Sequence, residues 1–313
     1  VTIEEIHGAQ LPQRIPGQGY QLIATGAERY LQLAAACAAS IRYWDPTRPI
    51  QLVTDISELG GHARLFDVVT PYTPRAGFEG PAVKLRMFEF AAFDETMFVD
   101  ADCLMMKANI GRHWKALSAH HDVTTPGEWR REGGWYGTTI EAMLKQAGVD
   151  RLVKMNSGVF YFKRNRAAHD FFFAADEMYA ELGNFTNHIH HGLGASDEPT
   201  FAVTFGRVGV EPYPVKDADG GSWMTSTYNT SDWRLSPTNG DPRFWKGVDV
   251  SPTLVHFVGL QPQPQFSELC DFYLNWADGK RFPQNRLQRW VSSLSARARS
   301  RRDPLPANGR AGD

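Results

Sequence analysis

The sequence predicts an α/β fold: a mixed, mostly parallel central sheet flanked by helices, in a single domain. Three observations predict it. Short apolar runs rich in β-branched residues alternate with helical stretches, the pattern of βαβ units. The 313 residues, 42% apolar and 22% charged, are enough for one sizeable core and too apolar for disorder. No internal repeat or linker cleanly divides the chain.

The elements follow in order. Residues 1–19 read as a lead-in, because 7–19 are rich in Gly, Pro and Gln. Tyr20 to Thr25 is a first strand, and the alanine-rich stretch from Arg29 to Tyr43 a helix that Pro46 and Pro49 end. Ile50 to Thr54 and Phe66 to Thr70 are further strands. A helical segment from Ala82 to Phe93 leads into the strand Thr96 to Val99, which Asp100-Ala101-Asp102 closes. Ser157 to Phe162 reads as a strand, Asn165 to Leu182 as a helix and Thr253 to Val258 as a late strand. The domain so defined spans 20–285. Residues 286–313 differ in composition: Leu287, Trp290, Val291 and Leu294 fall at helical spacing among arginines, ahead of a Pro- and Gly-containing tail. Two readings stand for this end, a terminal helix packed on the domain and a basic amphipathic anchor on an anionic membrane surface.

Composition excludes several classes. A formal net charge of −2 gives no basic field for nucleic acid. Cys37, Cys103 and Cys270 lie far apart and form neither a CxxC pair nor a disulfide lattice, which fits a reducing, cytoplasmic setting. No apolar run is long enough to span a bilayer, so any membrane contact is expected to be peripheral, at the inner face. The chain begins at Val1, so the lack of a signal peptide carries little weight. The sequons at Asn184 and Asn229 are short chance patterns.

In open parallel sheets, ligands bind beyond the carboxyl ends of the strands. Asp100 and Asp102 follow a strongly apolar strand, and at strand period both side chains project to one side with Ala101 turned away. Two carboxylates so close repel unless a proton or cation intervenes, and oxygen donors suit Mg²⁺ or Mn²⁺. The triplet alone is weak evidence, since Asp217-Ala-Asp219 repeats it in a Gly-flanked turn.

The surrounding residues carry more. Lys84-Leu-Arg-Met-Phe-Glu-Phe followed by Met97-Phe-Val-Asp-Ala-Asp-Cys-Leu104 resembles the donor-site region of glycosyltransferase family 8, the glycogenin-like enzymes. Ala24-Thr25 leading to Tyr30, then Met155-Asn-Ser-Gly-Val-Phe-Tyr-Phe162, then Val255-His-Phe-Val-Gly259, resemble further family motifs in the same order, over roughly residues 20–262. The resemblance implies a GT-A, Rossmann-like fold and a retaining, metal-dependent transferase that moves a hexose from a UDP-sugar to a carbohydrate or other hydroxyl acceptor. It implies that Asp100, Asp102 and His256 hold the metal, and a mixed O/N donor set favours Mn²⁺ over Mg²⁺. It implies that Lys84 lies near the phosphates or sugar and that Thr25 and Tyr30 hold the uridine. Asn156 and Ser157 would then bond sugar hydroxyls, with Gly158 allowing close approach. Gly259 closes the late motif. Asp197-Glu198 opens a helical segment where the family has Asp-Gln, and both would orient the sugar.

Three departures stand out. Leu260-Gln-Pro262 replaces the segment in which the family carries a diphosphate-binding lysine. The loop from Thr25 to Tyr30 is one residue longer than the family's. Glu198 stands for a glutamine, as a nucleophile or stabiliser of a cationic sugar, or as a surface acid at a helix start. Trp129, Trp135, Tyr136, Trp223, Tyr228 and Trp233 are candidate sugar platforms, and core packing accounts for most aromatics. His188, His190 and His191 have no acid or cysteine at ligand spacing and read as a solvent-facing loop. The alternatives are a degenerate domain serving as a carbohydrate-binding or scaffold module, and a sugar-nucleotide nucleotidyltransferase. The latter wants a Gly-rich basic loop that Thr25-Gly-Ala-Glu-Arg29 does not provide.

Overall fold

Alternation along the strands organises the molecule by turning successive side chains into two cores. The computed structural model describes residues 12–78, 80–183, 185–186, 196–215, 221–228, 233–258 and 264–280. In chain order the elements are β1 (Ile15–Ala24), α1 (Glu28–Trp44), β2 (Ile50–Thr54), β3 (Val68–Pro71), β4 (Phe93–Val99), β5 (Cys103–Met105), α2 (Ile110–His120) and β6 (Val123–Thr124). Then come β7 (Gly127–Arg130), β8 (Gly134–Trp135), β9 (Thr138–Thr139), α3 (Ile140–Ala147), β10 (Leu152–Met155), β11 (Val159–Lys163) and α4 (Arg166–Leu182). The chain continues through α5 (Asp197–Val208), β12 (Gly221–Ser226), β13 (Trp233–Arg234), β14 (Arg243–Trp245), β15 (Asp249–His256) and α6 (Pro264–Ala277).

The main sheet has the order β3-β2-β1-β4-β11-β6. Its first four strands are parallel, while β11 runs antiparallel to both β4 and β6. Met97, Val99, Val159 and Tyr161 face one core, and Phe98, Phe160 and Phe162 the other. The fold class is therefore the expected mixed α/β, mostly parallel sheet. Helix α1 lies between β1, β5 and α6. A helix enclosed this way needs small side chains, and Ala34, Ala35, Ala36, Cys37, Ala38 and Ala39 are all buried.

A second sheet has the order β12-β15-β14-β13, with β5 also paired to β15. The chain thus crosses from the main sheet to the second between β4 and β5. Ser40 of α1 fixes the arrival point, because its Oγ accepts the Met105 N–H at 2.9 Å. The β5–β15 register sets His256 opposite Cys103. One crossing therefore brings the Asp100–Asp102 segment and His256 together.

Two expectations are corrected. The first strand starts at Ile15, inside the supposed lead-in, because packing overrides the Gly-rich sequence. Gly19 passes beneath Phe93, where a Cβ would come within 2.5 Å of the ring. The segment expected as a helix over Ala82–Phe93 is 3-10 over Gly80–Phe90. Sheet glutamines take its carbonyls: Gln21 Nε2 donates to Met87 O at 3.2 Å and Gln51 Nε2 to Phe90 O at 2.6 Å. The basic segment 286–313, the triplet Asp217–Asp219, the sequons at Asn184 and Asn229, His188, His190 and His191, and Gly259 lie outside the described residues. Among those described, no helix is long and apolar enough to cross a membrane.

Candidate active site

The site forms where β4 ends. The strand stops at Val99, and Asp100 to Cys103 makes a β-turn, Cys103 N–H donating to Asp100 O at 2.9 Å. This turn replaces the continued strand period expected for the triplet: strand pairing ends at Val99, and the chain turns toward β5. Asp100 N–H donates to Gly158 O of the neighbouring strand segment at 2.8 Å, and Asp102 O accepts Phe257 N–H at 3.0 Å. Ala101 packs on the first core. From β15, His256 Nε2 lies 3.0 Å from Asp102 Oδ1 and 3.7 Å from Asp100 Oδ2.

Lys84 enters from the 3-10 segment. Its ammonium lies 3.1 Å from Asp100 Oδ2, 3.0 Å from Asp197 Oδ2 and 2.8 Å from Ser157 Oγ. The ammonium donates to Asp100 and Ser157, and its contact with Asp197 is an ion pair. Burial pulls its basicity down, but the charges of Asp100, Asp197 and Glu198 prevail and hold it well above the usual lysine value.

Asp197 and Glu198 open α5, where the helix macrodipole favours acids. Asp197 is buried on Lys84. Glu198 accepts the Ser157 N–H at 2.9 Å on Oε1 and the Tyr136 hydroxyl at 2.6 Å on Oε2. Glu198 is therefore bonded into the cluster and not free on the surface. Burial, then Asp197, raises its carboxyl above the usual range against these hydrogen bonds. Ser196 Oγ donates to the Tyr136 hydroxyl at 3.1 Å.

The cluster thus gathers four carboxylates around one lysine and one histidine, an excess of negative charge that a proton or a further cation offsets. The groups respond accordingly. Burial raises the Asp100 carboxyl despite Lys84 and His256. At Asp102 burial acts in the same sense but His256 prevails, and its carboxyl is held low. Burial pulls the His256 imidazole down, while Asp102 and then Asp100 raise it above the usual value. Oxygens of Asp102 and Asp100 both lie near His256 Nε2, and carboxylate and imidazole donors suit a divalent ion. Cys103 also offers its sulfur within 4.8 Å of ligand atoms on Asp102 and His256. Burial keeps its thiol protonated and Sγ lies 3.6 Å from Gly158 O, so it is a poor match for a hard cation.

In the sequence Tyr136 stands only as one of several candidate sugar platforms, with no sign of its bond to Glu198. Its φ of 49° makes it the one non-glycine residue with positive φ among those described. No local pattern announces a Glu198 partner from the β8–β9 hairpin. Trp223, another candidate platform, is fully buried in the first core and is corrected to a packing residue. Asn156 Oδ1 accepts the Gly158 N–H at 3.1 Å and lies 2.6 Å from His256 Nδ1. Thr25 and Tyr30 stand at the same edge of the sheet, after β1. Gly26 N–H donates to Asp55 Oδ1 at 2.9 Å, and Arg29 lies 4.9 Å over the Tyr30 ring. Among the described residues, no hydrogen bond or ion pair joins this loop to the acidic cluster.

No protein-family model matches the chain, and no curated protein matches it. Among solved structures it is similar to the bifunctional glycosyltransferase WbbM, with a TM-score of 0.51 and 13% identity over 82% of this chain and 49% of that one. The chain therefore spans about half the length of that protein. The galactosyltransferase LgtC, solved with donor and acceptor sugar analogues, matches at a TM-score of 0.48 and 12% identity over 80% of this chain and 95% of that one. GlyE of Streptococcus pneumoniae TIGR4 matches at 0.46 and 10% identity over 85% and 65%. The WbbM likeness is one of fold: a mixed α/β domain with a mostly parallel sheet, resembling GT-A glycosyltransferases.

Proposed function

We propose that the chain is a metal-dependent retaining glycosyltransferase of the family 8 type that moves a hexose from a UDP-sugar to a hydroxyl acceptor. The observation that carries this is the convergence of Asp100, Asp102 and His256 beside Lys84, Asp197 and Glu198 at the carboxyl end of the parallel sheet. Asp100, Asp102 and His256 would hold Mn²⁺, or Mg²⁺. That ion supplies Lewis-acid stabilisation of the charge developing on a departing diphosphate.

The remaining residues have separable tasks. Lys84 acts as the internal counter-ion of Asp100 and Asp197, which its ammonium faces at 3.1 and 3.0 Å. Glu198 is held by Ser157 and Tyr136 with both oxygens aligned, and accepts a hydroxyl of the sugar while its charge steadies an oxocarbenium-like centre. Thr25 and Tyr30 hold the base, and Ala101 lies beside the donor. The acceptor is a carbohydrate or another hydroxyl compound.

The test is UDP release from a panel of UDP-sugars, with and without Mn²⁺. Metal-dependent release from at least one is expected. Absence of release from every nucleotide sugar, with either Mn²⁺ or Mg²⁺, overturns the reading. A second reading, a non-catalytic sugar-binding module, is favoured by one feature, the lack of a basic residue in Leu260-Gln-Pro262. Binding of a UDP-sugar with no turnover in any acceptor mixture selects it. The nucleotidyltransferase alternative loses ground because the Gly26 N–H is already taken by Asp55.

A further inference from the structure

His256 presents its two ring nitrogens to different partners. Nε2 faces the carboxylates of Asp102 and Asp100. Nδ1 lies 2.6 Å from Asn156 Oδ1, in the turn between β10 and β11. The identity of that amide atom follows from its second contact: the Gly158 N–H points at it from 3.1 Å, and an N–H can only donate. The atom is therefore the amide oxygen, and an oxygen facing Nδ1 requires the proton to sit on Nδ1. Nε2 is then the nitrogen that faces the carboxylates, where it shares a proton with Asp102 that a bound cation would replace.

Gly158 makes this packing possible. A Cβ there would collide with His256 Nδ1 and come within 2.9 Å of Asn156 Oδ1. Both lone pairs of that oxygen are engaged inside the protein, and His256 is itself buried. The three residues form a unit behind the acidic cluster, on the side of the imidazole away from it.

We infer that Asn156 is a positioning residue that fixes the Nδ1–H tautomer of His256 and aims Nε2 at a divalent cation, with Gly158 clearing the space. This rests on the metal reading above but assigns Asn156 a task other than sugar binding. Partners behind a ligating histidine commonly change metal affinity by about 10- to 100-fold.

The experiment measures the Kd of Mn²⁺ for the full chain by electron paramagnetic resonance of the free ion, without any sugar nucleotide. Asn156→Ala is expected to weaken binding about 10-fold or more. Asn156→Asp, which keeps an acceptor for the Nδ1 proton, is expected to stay within about 3-fold of wild type, below the range that loss of such a partner produces. If the alanine variant does not fold, the aspartate variant decides: a 10-fold loss there overturns the inference. Wild-type affinity in Asn156→Ala also overturns it. Nitrogen-15 spectra of the metal-free protein, above the titration of the ring, give an independent readout: Nδ1–H at His256 supports the assignment and Nε2–H overturns it. The signal is assigned by its loss in His256→Ala. Failure of the functional reading looks different, because Mn²⁺ binding and its dependence on Asn156 then stand while no sugar nucleotide is turned over. No Mn²⁺ binding by wild type overturns the metal reading and this inference together.

Discussion

The loops that follow β1 and β4 leave the same edge of the same parallel sheet, yet they are built on opposite plans. After β4, the Asp100–Cys103 turn is closed by backbone bonds to Gly158 and Phe257, and its carboxylates are matched to buried cations. After β1, Gly26 hangs on a single aspartate, and Tyr30 is half-exposed beneath Arg29. The first plan preorganises charge before a ligand arrives, which is where preorganisation is worth most. The second leaves the Tyr30 ring, in the first turn of α1, with one part against the core and the rest open for a flat ring to stack on. Rigidity is thus expected to follow the charge of the ligand part that each loop meets.

The largest effect tests the rigid side. Asp102→Asn removes one of two facing carboxylates and the main partner of His256, and is expected to lower kcat/KM about 100- to 1000-fold in UDP release at saturating metal. Full activity in that variant would break the comparison. Next, Lys84→Met leaves Asp100 and Asp197 buried without their cation. It is expected to cost about 3–5 kcal/mol of stability, read by urea unfolding. A variant as stable as wild type would show that Lys84 is a ligand contact rather than a counter-ion.

Proton linkage gives a smaller, graded effect. The folded state raises the His256 value, so its pairing with Asp102 contributes stability that is fully present below the unfolded value of about 6.5. That contribution is lost as pH rises through the raised folded value. Metal must displace the same proton, so Mn²⁺ binding is expected to tighten as pH rises across that window. Titration calorimetry at several pH values in buffers of different ionisation enthalpy checks both the slope and the released proton. Smallest is the effect on the open side. Tyr30→Ala is expected to raise the KM for the sugar nucleotide about 10-fold, the lower part of the stacking range, with kcat nearly unchanged. A large fall in kcat instead would mean that the β1 loop is coupled to the chemistry.

The contrast also explains what was legible in the sequence. The strand Ile50–Thr54 is local: an apolar β-branched run between prolines and a turn, with every residue buried. The aspartate pair stands out because it ends an apolar strand, and strand ends are where a parallel sheet exposes its ligands. Other features depend on distant partners. Gln21 and Gln51 bind carbonyls near the end of the 3-10 segment Gly80–Phe90, and neither lies near it in sequence. Ile15–Gly19 reads as loop until Phe93 is known to lie over Gly19. Tyr136 and Glu198 are 62 residues apart, and nothing in the hairpin sequence signals their bond. Asn156 was picked out by its motif, but the partner that determines its task comes from β15, 100 residues further on. Motifs mark which residues matter; the contacts across the sheets decide what each one does.

The crossing from β4 to β5 has a practical consequence. The acidic cluster draws its donors from two different sheets, so it is a seam as well as a site. Any cation or donor that engages Asp100, Asp102 and His256 together fastens the end of β4 to the end of β15, and its binding free energy adds to the resistance of the whole domain to unfolding. A shift in melting temperature on adding metal and nucleotide sugars therefore ranks donors before any acceptor has been found.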